Sequence, residues 1–158
     1  MQTRIAYNKL DSNVVQGILG LGGNSGLEES LLDLVKVRAS QINRCAFCLD
    51  MHIKDARTSG ETEQRLYSLS AWHETSFYSE RERAALAFAE AVTLISENGV
   101  PDEVYEQVRQ HFSEQEIVSL TMTVIAINAW NRLNVSLRTV VPGHYKSRRQ
   151  SESVAEVR

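Results

Sequence analysis

One segment of the chain reads Asn43-Arg44-Cys45-Ala46-Phe47-Cys48-Leu49-Asp50-Met51-His52 and contains both of its cysteines. If this segment is helical, Cys45, Cys48 and His52 occupy positions i, i+3 and i+7, so their side chains emerge on one face of the helix. On one face, two thiols and an imidazole can exchange protons or share a ligand. This spacing is the main indication of chemistry in the sequence.

The thiolate form of cysteine is the reactive one, and it is scarce at neutral pH in a free cysteine with a pKa of about 8.5. Three groups are placed to stabilise it here: the N-terminus of the helix, the neighbouring thiol, and His52 one turn beyond Cys48. A sulfenic acid formed on one sulfur would lie within reach of the other, which would close a reversible Cys45–Cys48 disulfide. The segment therefore predicts redox chemistry.

Two other interpretations fit the same spacing. Unpaired cysteine is among the residue types most often buried, so both sulfurs could be small core residues on an apolar helix. A Cys-x-x-Cys pair with a nearby histidine also resembles half of a structural zinc site, although the chain has no second cysteine pair to complete it. The spacing by itself leaves all three interpretations open.

Length and composition narrow the class of protein. The 158 residues are most simply one domain, which can bury a sizeable core without disulfides. A bridge between cysteines this close encloses a very small loop, so the pair is not the framework of a secreted mini-protein. The N-terminus lacks an apolar signal segment, no apolar run reaches membrane-spanning length, and the net charge of −3 argues against a nucleic-acid partner. We therefore expect a soluble, cytoplasmic protein.

The fold class follows from helix-forming residues, which dominate the composition. Only two prolines occur, and no alternating run indicates a strand. Helix starts are predicted by the Ser-x-x-Glu capping box, in which the serine oxygen accepts from a backbone amide and the glutamate reaches back to the N-cap amide. The box occurs three times, at Ser25–Glu28, Ser79–Glu82 and Ser113–Glu116. The sequence thus predicts an all-α fold, a helical bundle.

Apolar periodicity and turn residues place the individual helices. They are expected over residues 27 to about 42, 45–57, 61–71, 80–96, 102–111 and 117–137. Asn43 is the expected N-cap of the cysteine helix, and Gly60 is its expected left-handed end. We expect one domain over residues 1–142, with its core at 26–137, followed by a polar tail at 143–158.

The last long helix is apolar nearly all round, which predicts burial by its own domain or by another subunit. Asn128, Asn131 and Asn134 recur on it every third residue. Buried amides must be hydrogen-bonded, so we expect this polar stripe to meet a partner helix or backbone within an oligomer. A structural role is the favoured interpretation of the stripe.

Three segments carry a family resemblance. They read Leu34-Val35-Lys36-Val37-Arg38-Ala39-Ser40-Gln41-Ile42-Asn43-Arg44-Cys45-Ala46-Phe47-Cys48-Leu49-Asp50-Met51-His52, Ser79-Glu80-Arg81-Glu82-Arg83-Ala84-Ala85-Leu86-Ala87 and Asn128-Ala129-Trp130-Asn131-Arg132-Leu133. Together they closely resemble the alkyl hydroperoxidase D and carboxymuconolactone decarboxylase superfamily, in particular its short peroxidase-like members. The resemblance covers residues 26–137, and its Cys-x-x-Cys-x-x-x-His core is specific.

The resemblance implies an all-helical subunit that assembles into trimers or hexamers and reduces hydroperoxides without a metal or flavin cofactor. By position, Cys48 is the peroxidatic thiol, Cys45 the resolving thiol and His52 the proton-relay residue. Asp33 takes the place of the family's upstream glutamate and is shorter by one methylene. Phe47 stands where the well-studied branch has a further relay histidine. Electrons are expected from a dithiol donor, either a lipoyl carrier or a thioredoxin-like protein.

Two rival functions remain. The first is a carbon–carbon lyase or hydrolase with the same fold, acting on a small lactone-like acid with His52 as base. Decarboxylases of the superfamily lack the redox pair, so the two cysteines argue against this activity. The second is a non-catalytic helical oligomer in which both cysteines are packing residues.

Overall fold

The computed structural model describes residues 2–10, 13–21 and 26–147, and within these ranges the chain is helical with no strand. Its α-helices are α1 Asn13–Leu21, α2 Glu29–Ile42, α3 Ala46–Thr58, α4 Glu63–Ser68, α5 Glu80–Thr93, α6 Ile95–Asn98, α7 Asp102–His111 and α8 Glu114–Leu137. Two short 3-10 helices cover Tyr7–Lys9 and Leu69–Glu74. The predicted all-α class is confirmed.

Two of the three predicted capping boxes form. In α5, Ser79 Oγ accepts from the Glu82 amide at 3.3 Å, and the Glu82 carboxylate accepts from the Ser79 amide at 2.8 Å. The same reciprocal pair joins Ser113 and Glu116 at the start of α8. The box predicted at Ser25 is wrong for α2. Ser25 lies outside the described residues, and Glu28 has extended backbone angles and is itself the N-cap.

The turn between α2 and α3 differs from the predicted one. Cys45 is the N-cap of α3, whereas Asn43 is the C-cap of α2 and its backbone N–H donates to Ala39. Arg44 reverses the chain between them with a φ of 55°. The prediction of Asn43 as N-cap is therefore wrong, because one left-handed residue moves the start of α3 to the first cysteine. At the other end, Gly60 has the predicted positive φ, 94°.

Two predicted helices are shorter than expected. The segment predicted at 61–71 forms α4 and then a 3-10 turn that buries Trp72. The segment predicted at 80–96 ends as α5 at Thr93, because Leu94 leaves helical geometry before α6 begins. The predicted helix at 102–111 is confirmed as α7.

Helix α2 lies at the centre of the fold and packs against α3, α5 and α8. Leu34, Val35 and Val37 are fully buried on it. Burial of one such side chain contributes roughly 1.5–3 kcal/mol. Alanines on α5, such as Ala85 and Ala89, are also fully buried and allow α5 to approach closely. This packing encloses α2 on several sides, including the side that bears Asp33.

Arg81 on α5 ties three helix ends together. Its guanidinium bonds to Glu28 at 3.1 Å and to Glu116 at 2.6 Å, and it donates to the carbonyl of His111. The same group lies 3.9 Å above the centre of the Phe112 ring. One charged side chain therefore fixes the starts of α2 and α8 against the end of α7.

The beginning of the predicted polar tail lies along α3. The Gly143 amide donates to Asp50 at 2.9 Å, and the Ser147 hydroxyl donates to Asp55 at 2.7 Å. Residues 148–158 lie outside the described part of the chain. Among the residues that are described, no helix has the length and apolar character needed to cross a bilayer.

Candidate active site around the Cys45–Cys48 disulfide

The turn between α2 and α3 brings the two cysteines together. Cys45 is the N-cap of α3 and Cys48 lies in its first turn. The two residues form a disulfide with their Cα atoms 5.3 Å apart. Both are buried, with exposed fractions of 2% and 1%. The helix N-terminus carries partial positive charge, so a thiolate formed here on reduction would be stabilised.

The C-terminal part of α8 forms the opposite wall of the site. Asn134 Nδ2 donates to Cys48 Sγ at 3.8 Å, and Ile127 packs in the same small cluster as both cysteines and Ala39. The prediction from the sequence gave Asn134 a structural role in the amide stripe and did not include this contact with sulfur. A three-residue spacing predicts which helix face carries the amides, but it contains nothing about which one meets sulfur.

The rest of the predicted amide stripe is bonded inside the subunit. Asn128 Nδ2 donates to Thr93 Oγ1 at 3.0 Å, and Asn131 Nδ2 donates to Ser40 Oγ at 3.1 Å. Asn43 Nδ2 donates to the side-chain oxygen of each, at 2.9 Å. The prediction of buried, bonded amides is confirmed. The expectation that these amides bond to a partner within an oligomer is not confirmed, because residues of α2 and α5 in the same chain supply the bonds.

A pocket of about 240 Å³ opens over the first turn of α3. Cys45 lines it, whereas Cys48 does not. The other lining residues are Arg44, Ala46, Phe47, Asn134, Val135, Arg138, Val140, Val141 and Pro142. Its walls are mostly apolar, and its two charged residues are arginines. A molecule entering the pocket therefore meets the Cys45 side of the disulfide.

Arg44 and Arg138 also share an unusual backbone. They are the non-glycine residues with positive φ in the described part of the chain, at 55° and 50°. A left-handed residue with a Cβ costs roughly 1–2 kcal/mol, and such residues cluster at functional sites. Both of them border the pocket beside Cys45.

His52 lies one turn beyond Cys48 on α3 and is half-buried. The structure therefore keeps the predicted succession of Cys45, Cys48 and His52 along one helix. The spacing from Cys48 is four residues, which places the imidazole on the same side of α3 as that sulfur.

Asp33 lies on α2 and is 2% exposed. It lines a second pocket, of about 260 Å³, together with Ala56, Gly60 and Arg65. Ala56 is one turn beyond His52 and eight residues beyond Cys48, which is roughly 12 Å along the helix axis. The structure thus places Asp33 beside the part of α3 that follows His52, in a different pocket from the one that exposes Cys45.

The described residues contain no group of three or more histidine, cysteine or acidic side chains arranged to hold a metal ion.

Comparison of the sequence with protein-family profiles identifies the family of this chain. The sequence profile of the Carboxymuconolactone decarboxylase family matches residues 6–91. The chain belongs to this family.

Relatives of this carboxymuconolactone decarboxylase family member agree with the assignment. The uncharacterized protein YdfG of Bacillus subtilis is 49% identical over 113 residues, which are 72% of this chain and 77% of YdfG. A crystal structure from Agrobacterium tumefaciens, of a protein of unknown function suggested to be the antioxidant defence protein AhpD, is 44% identical. It has a TM-score of 0.86, covering 90% of this chain and all of that one. The predicted resemblance is confirmed.

A more distant structure agrees in fold alone. The uncharacterized peroxidase-related protein from Silicibacter sp. TM1040 is 23% identical with a TM-score of 0.71, covering 84% of this chain and 70% of that one. In the present family member, the fold holds a cysteine pair and a histidine on adjacent turns of α3, with a side-chain amide from α8 at the second sulfur. Such a set can accept and release two electrons and one or more protons at the sulfur atoms.

Proposed function

We propose that this protein is a cytoplasmic, thiol-dependent hydroperoxide reductase. The observation that carries the proposal is the Cys45–Cys48 disulfide at the N-terminus of α3, with a pocket beside it. A buried pair that were only packing would need neither a pocket nor a donor to its sulfur. The likeness to a structure suggested to be an antioxidant defence protein supports the same activity.

In the oxidative half-reaction, the Cys48 thiolate attacks one peroxide oxygen of ROOH. The O–O bond breaks, a proton is taken up, and ROH leaves while Cys48 becomes a sulfenic acid. Cys45 then attacks the sulfenic sulfur as a thiolate, and the hydroxyl leaves as water after protonation. The net result is one Cys45–Cys48 disulfide, one alcohol and one water per hydroperoxide.

His52 is proposed to take the Cys48 proton and to return protons to the leaving oxygens. Its position one turn from Cys48 supports this role. Asp33 is proposed to act through His52 rather than on sulfur, because it lies beside the α3 residues that follow the histidine. Phe47 stands in place of the family's further relay histidine and cannot transfer a proton, so His52 is proposed to carry out the proton transfer.

The reductive half-reaction requires an external dithiol, proposed to be a lipoyl carrier or a thioredoxin-like protein. Because the pocket exposes the Cys45 side, the incoming thiolate is proposed to attack Cys45 and to release Cys48 as a thiolate. The second thiol of the donor then displaces Cys45. The donor leaves as a disulfide and both protein thiols are restored.

We further propose that the hydroperoxide binds in this same pocket, which the Cys48 thiolate would reach once reduction has broken its bond to Cys45. Its walls include Phe47, Val135 and Val140, which suit an apolar organic group. Among the described residues, neither Arg44 nor Arg138 has an ion-pair partner, although both line this pocket. We therefore favour an organic hydroperoxide that carries a carboxylate, because arginine binds carboxylates well.

A homo-oligomer, a trimer or hexamer, is proposed for the assembled protein. The supporting observation is on α8, where Val118 and Ile125 are exposed to 57% and 41%. They are seven residues apart and so lie on one face of the helix. Exposed apolar residues on one face of a helix whose opposite side packs into the core fit contact with a second copy of the chain.

The decisive experiment mixes the fully reduced protein with a small set of hydroperoxides in a stopped-flow instrument and measures the mass of the Cys45 and Cys48 peptides. Rapid disulfide formation at one equivalent of peroxide is expected, and Cys48→Ser should abolish it. A Cys45→Ser protein should stop at the Cys48 sulfenic acid. Slow, unselective oxidation of both thiols would contradict the proposal. Turnover of a lactone acid that survives Cys48→Ser would favour the lyase instead.

A further inference from the structure

Asn134 has an orientation fixed by three hydrogen bonds. Its Oδ1 accepts from the Tyr7 hydroxyl at 3.3 Å, and its Nδ2 donates to the Trp130 carbonyl at 3.0 Å and to Cys48 Sγ at 3.8 Å. A carboxamide has one acceptor end and one donor end. A carbonyl can only accept, so the bond to Trp130 places the nitrogen on the side of the sulfur, and the Tyr7 hydroxyl holds the oxygen at the other end.

This donor is more valuable to a thiolate than to a disulfide. A neutral disulfide sulfur is a weak acceptor, whereas a thiolate carries a full charge and accepts charge-assisted bonds. Asn134 and Cys48 are both buried, and electrostatic interactions are stronger in such surroundings than in water. No side chain in the described ranges donates to the sulfur of Cys45. The donor therefore distinguishes the sulfur of Cys48 from that of Cys45 in the folded protein.

Tyr7 is fixed in turn by the N-terminal segment, which lies across the end of α8. The amides of Arg4 and Ile5 both donate to the Leu137 carbonyl, at 3.0 and 3.1 Å. The Thr139 hydroxyl donates back to the Ile5 carbonyl at 2.6 Å. Burial raises the pKa of Tyr7 above its ordinary value of 10.0, so its hydroxyl stays protonated and available as a donor.

We propose that Asn134 is a catalytic residue that stabilises the Cys48 thiolate, and that Tyr7 is the positioning residue that aims the Asn134 amide at the sulfur. The proposal rests on the proposed function only in naming Cys48 as the sulfur that bears the charge. The donor lowers the proton affinity of Cys48 in the reduced protein. It also makes Cys48 the better leaving group when an external thiolate attacks Cys45.

The test measures the Cys48 thiol directly, by thiolate absorbance near 240 nm against pH, in a Cys45→Ser background that leaves a single thiol. Asn134→Leu should raise the Cys48 pKa by about one unit or more, since a hydrogen bond to a charged group has that strength. Tyr7→Phe should raise it less. In the Asn134→Leu background, Tyr7→Phe should have no further effect, because Tyr7 acts only through the amide.

Two control variants separate this role from general stability. Asn131→Ala removes a buried amide one turn away that bonds to Ser40 and not to sulfur. Tyr145→Phe removes a tyrosine hydroxyl that bonds to Asp55 at 3.0 Å. Neither should move the Cys48 pKa. If Asn134→Leu does not fold, the test compares the Cys48 pKa of Tyr7→Phe, which should rise, with that of Tyr145→Phe, which should not change.

An unchanged Cys48 pKa in the folded Asn134 and Tyr7 variants would overturn the inference, as would an equal shift in the controls. The titration uses no peroxide, so it is independent of the proposed activity. A protein that shows the shift but reduces no hydroperoxide would retain Asn134 as a thiolate donor and lose the peroxidase assignment.

Discussion

The side-chain amide of Asn134 donates to the sulfur of Cys48 over 3.8 Å, although the two residues are 86 positions apart in the chain. The contact joins the C-terminal half of α8 to the first turn of α3. It makes α8 part of the site, so the chemistry of the cysteine pair depends on how these two helices pack.

We expect His52→Gln to slow oxidation of Cys48 by about 10²-fold or more at neutral pH, because general acid–base catalysis contributes about that much. Asp33→Asn should have a smaller effect, and Asp33→Glu, which keeps the carboxylate and restores the family's glutamate, should retain the wild-type rate. The measurement is the second-order rate constant with one hydroperoxide over a range of pH. Asp50→Asn is the control, because this α3 carboxylate bonds to Lys54 and Gly143 instead. Wild-type rates in Asp33→Asn would remove Asp33 from the relay.

Arg138→Gln is expected to raise KM several-fold for a hydroperoxide that carries a carboxylate, and to leave its neutral ester unaffected. The reason is the loss of a charge-assisted contact at the pocket beside Cys45. Steady-state kinetics with the acid and the ester measures the difference. Arg109→Gln is the matched control, since Arg109 is on α7 and pairs with Glu106. An equal change for acid and ester would count against carboxylate recognition.

The ionised carboxylate of Glu116 makes the free energy of unfolding depend on pH in the acid range. Bonds from Ser113 and Arg81 hold the pKa of this carboxyl at about 2, below its ordinary value of 4.5. A depressed pKa in the folded state stabilises the protein above pH 4.5, and that contribution is lost as the pH falls from about 4.5 towards 2. Glu116→Gln should therefore lower stability at pH 7 and flatten its decline in acid. Denaturant titrations at several pH values measure this.

The control for that experiment is Glu114→Gln, in the same first turn of α8 but not bonded to Arg81. It removes one carboxylate from the helix N-terminus without breaking the capping box. If both variants change the acid dependence equally, the effect belongs to helix-end charge in general and not to the Glu116–Arg81 pair.

Assembly is tested on the exposed face of α8. Ile125→Glu should dissociate the proposed trimer or hexamer, because it places a charge in an apolar contact between subunits. Light scattering after size-exclusion chromatography measures the mass. Val141→Glu is the comparison, since Val141 is similarly exposed but lies at the cysteine pocket and not on the face of α8 that carries Val118 and Ile125. A wild-type protein that is monomeric at high concentration would contradict the proposal.

Local patterns predicted the helices well where the signal lies within a few residues. The capping boxes at Ser79 and Ser113 place the starts of α5 and α8, because a serine and a glutamate three positions apart satisfy each other's neighbouring amides. The end of α3 at Gly60 follows from the same kind of local rule. The turn before α3 was predicted wrongly, since Arg44 adopts a left-handed backbone that is uncommon for arginine.

By itself, then, the sequence determined the helical class, the family, and the cysteines and histidine on successive turns of one helix, because each depends on residues close together in the chain. Only the tertiary structure decided that Asn134 and Tyr7 reach the site, that Cys45 faces the pocket, and that Asp33 lies beside the α3 residues that follow His52. Those relationships arise where α2, α3 and α8 pack together, and packing joins residues whose separation in the chain carries no periodic signal.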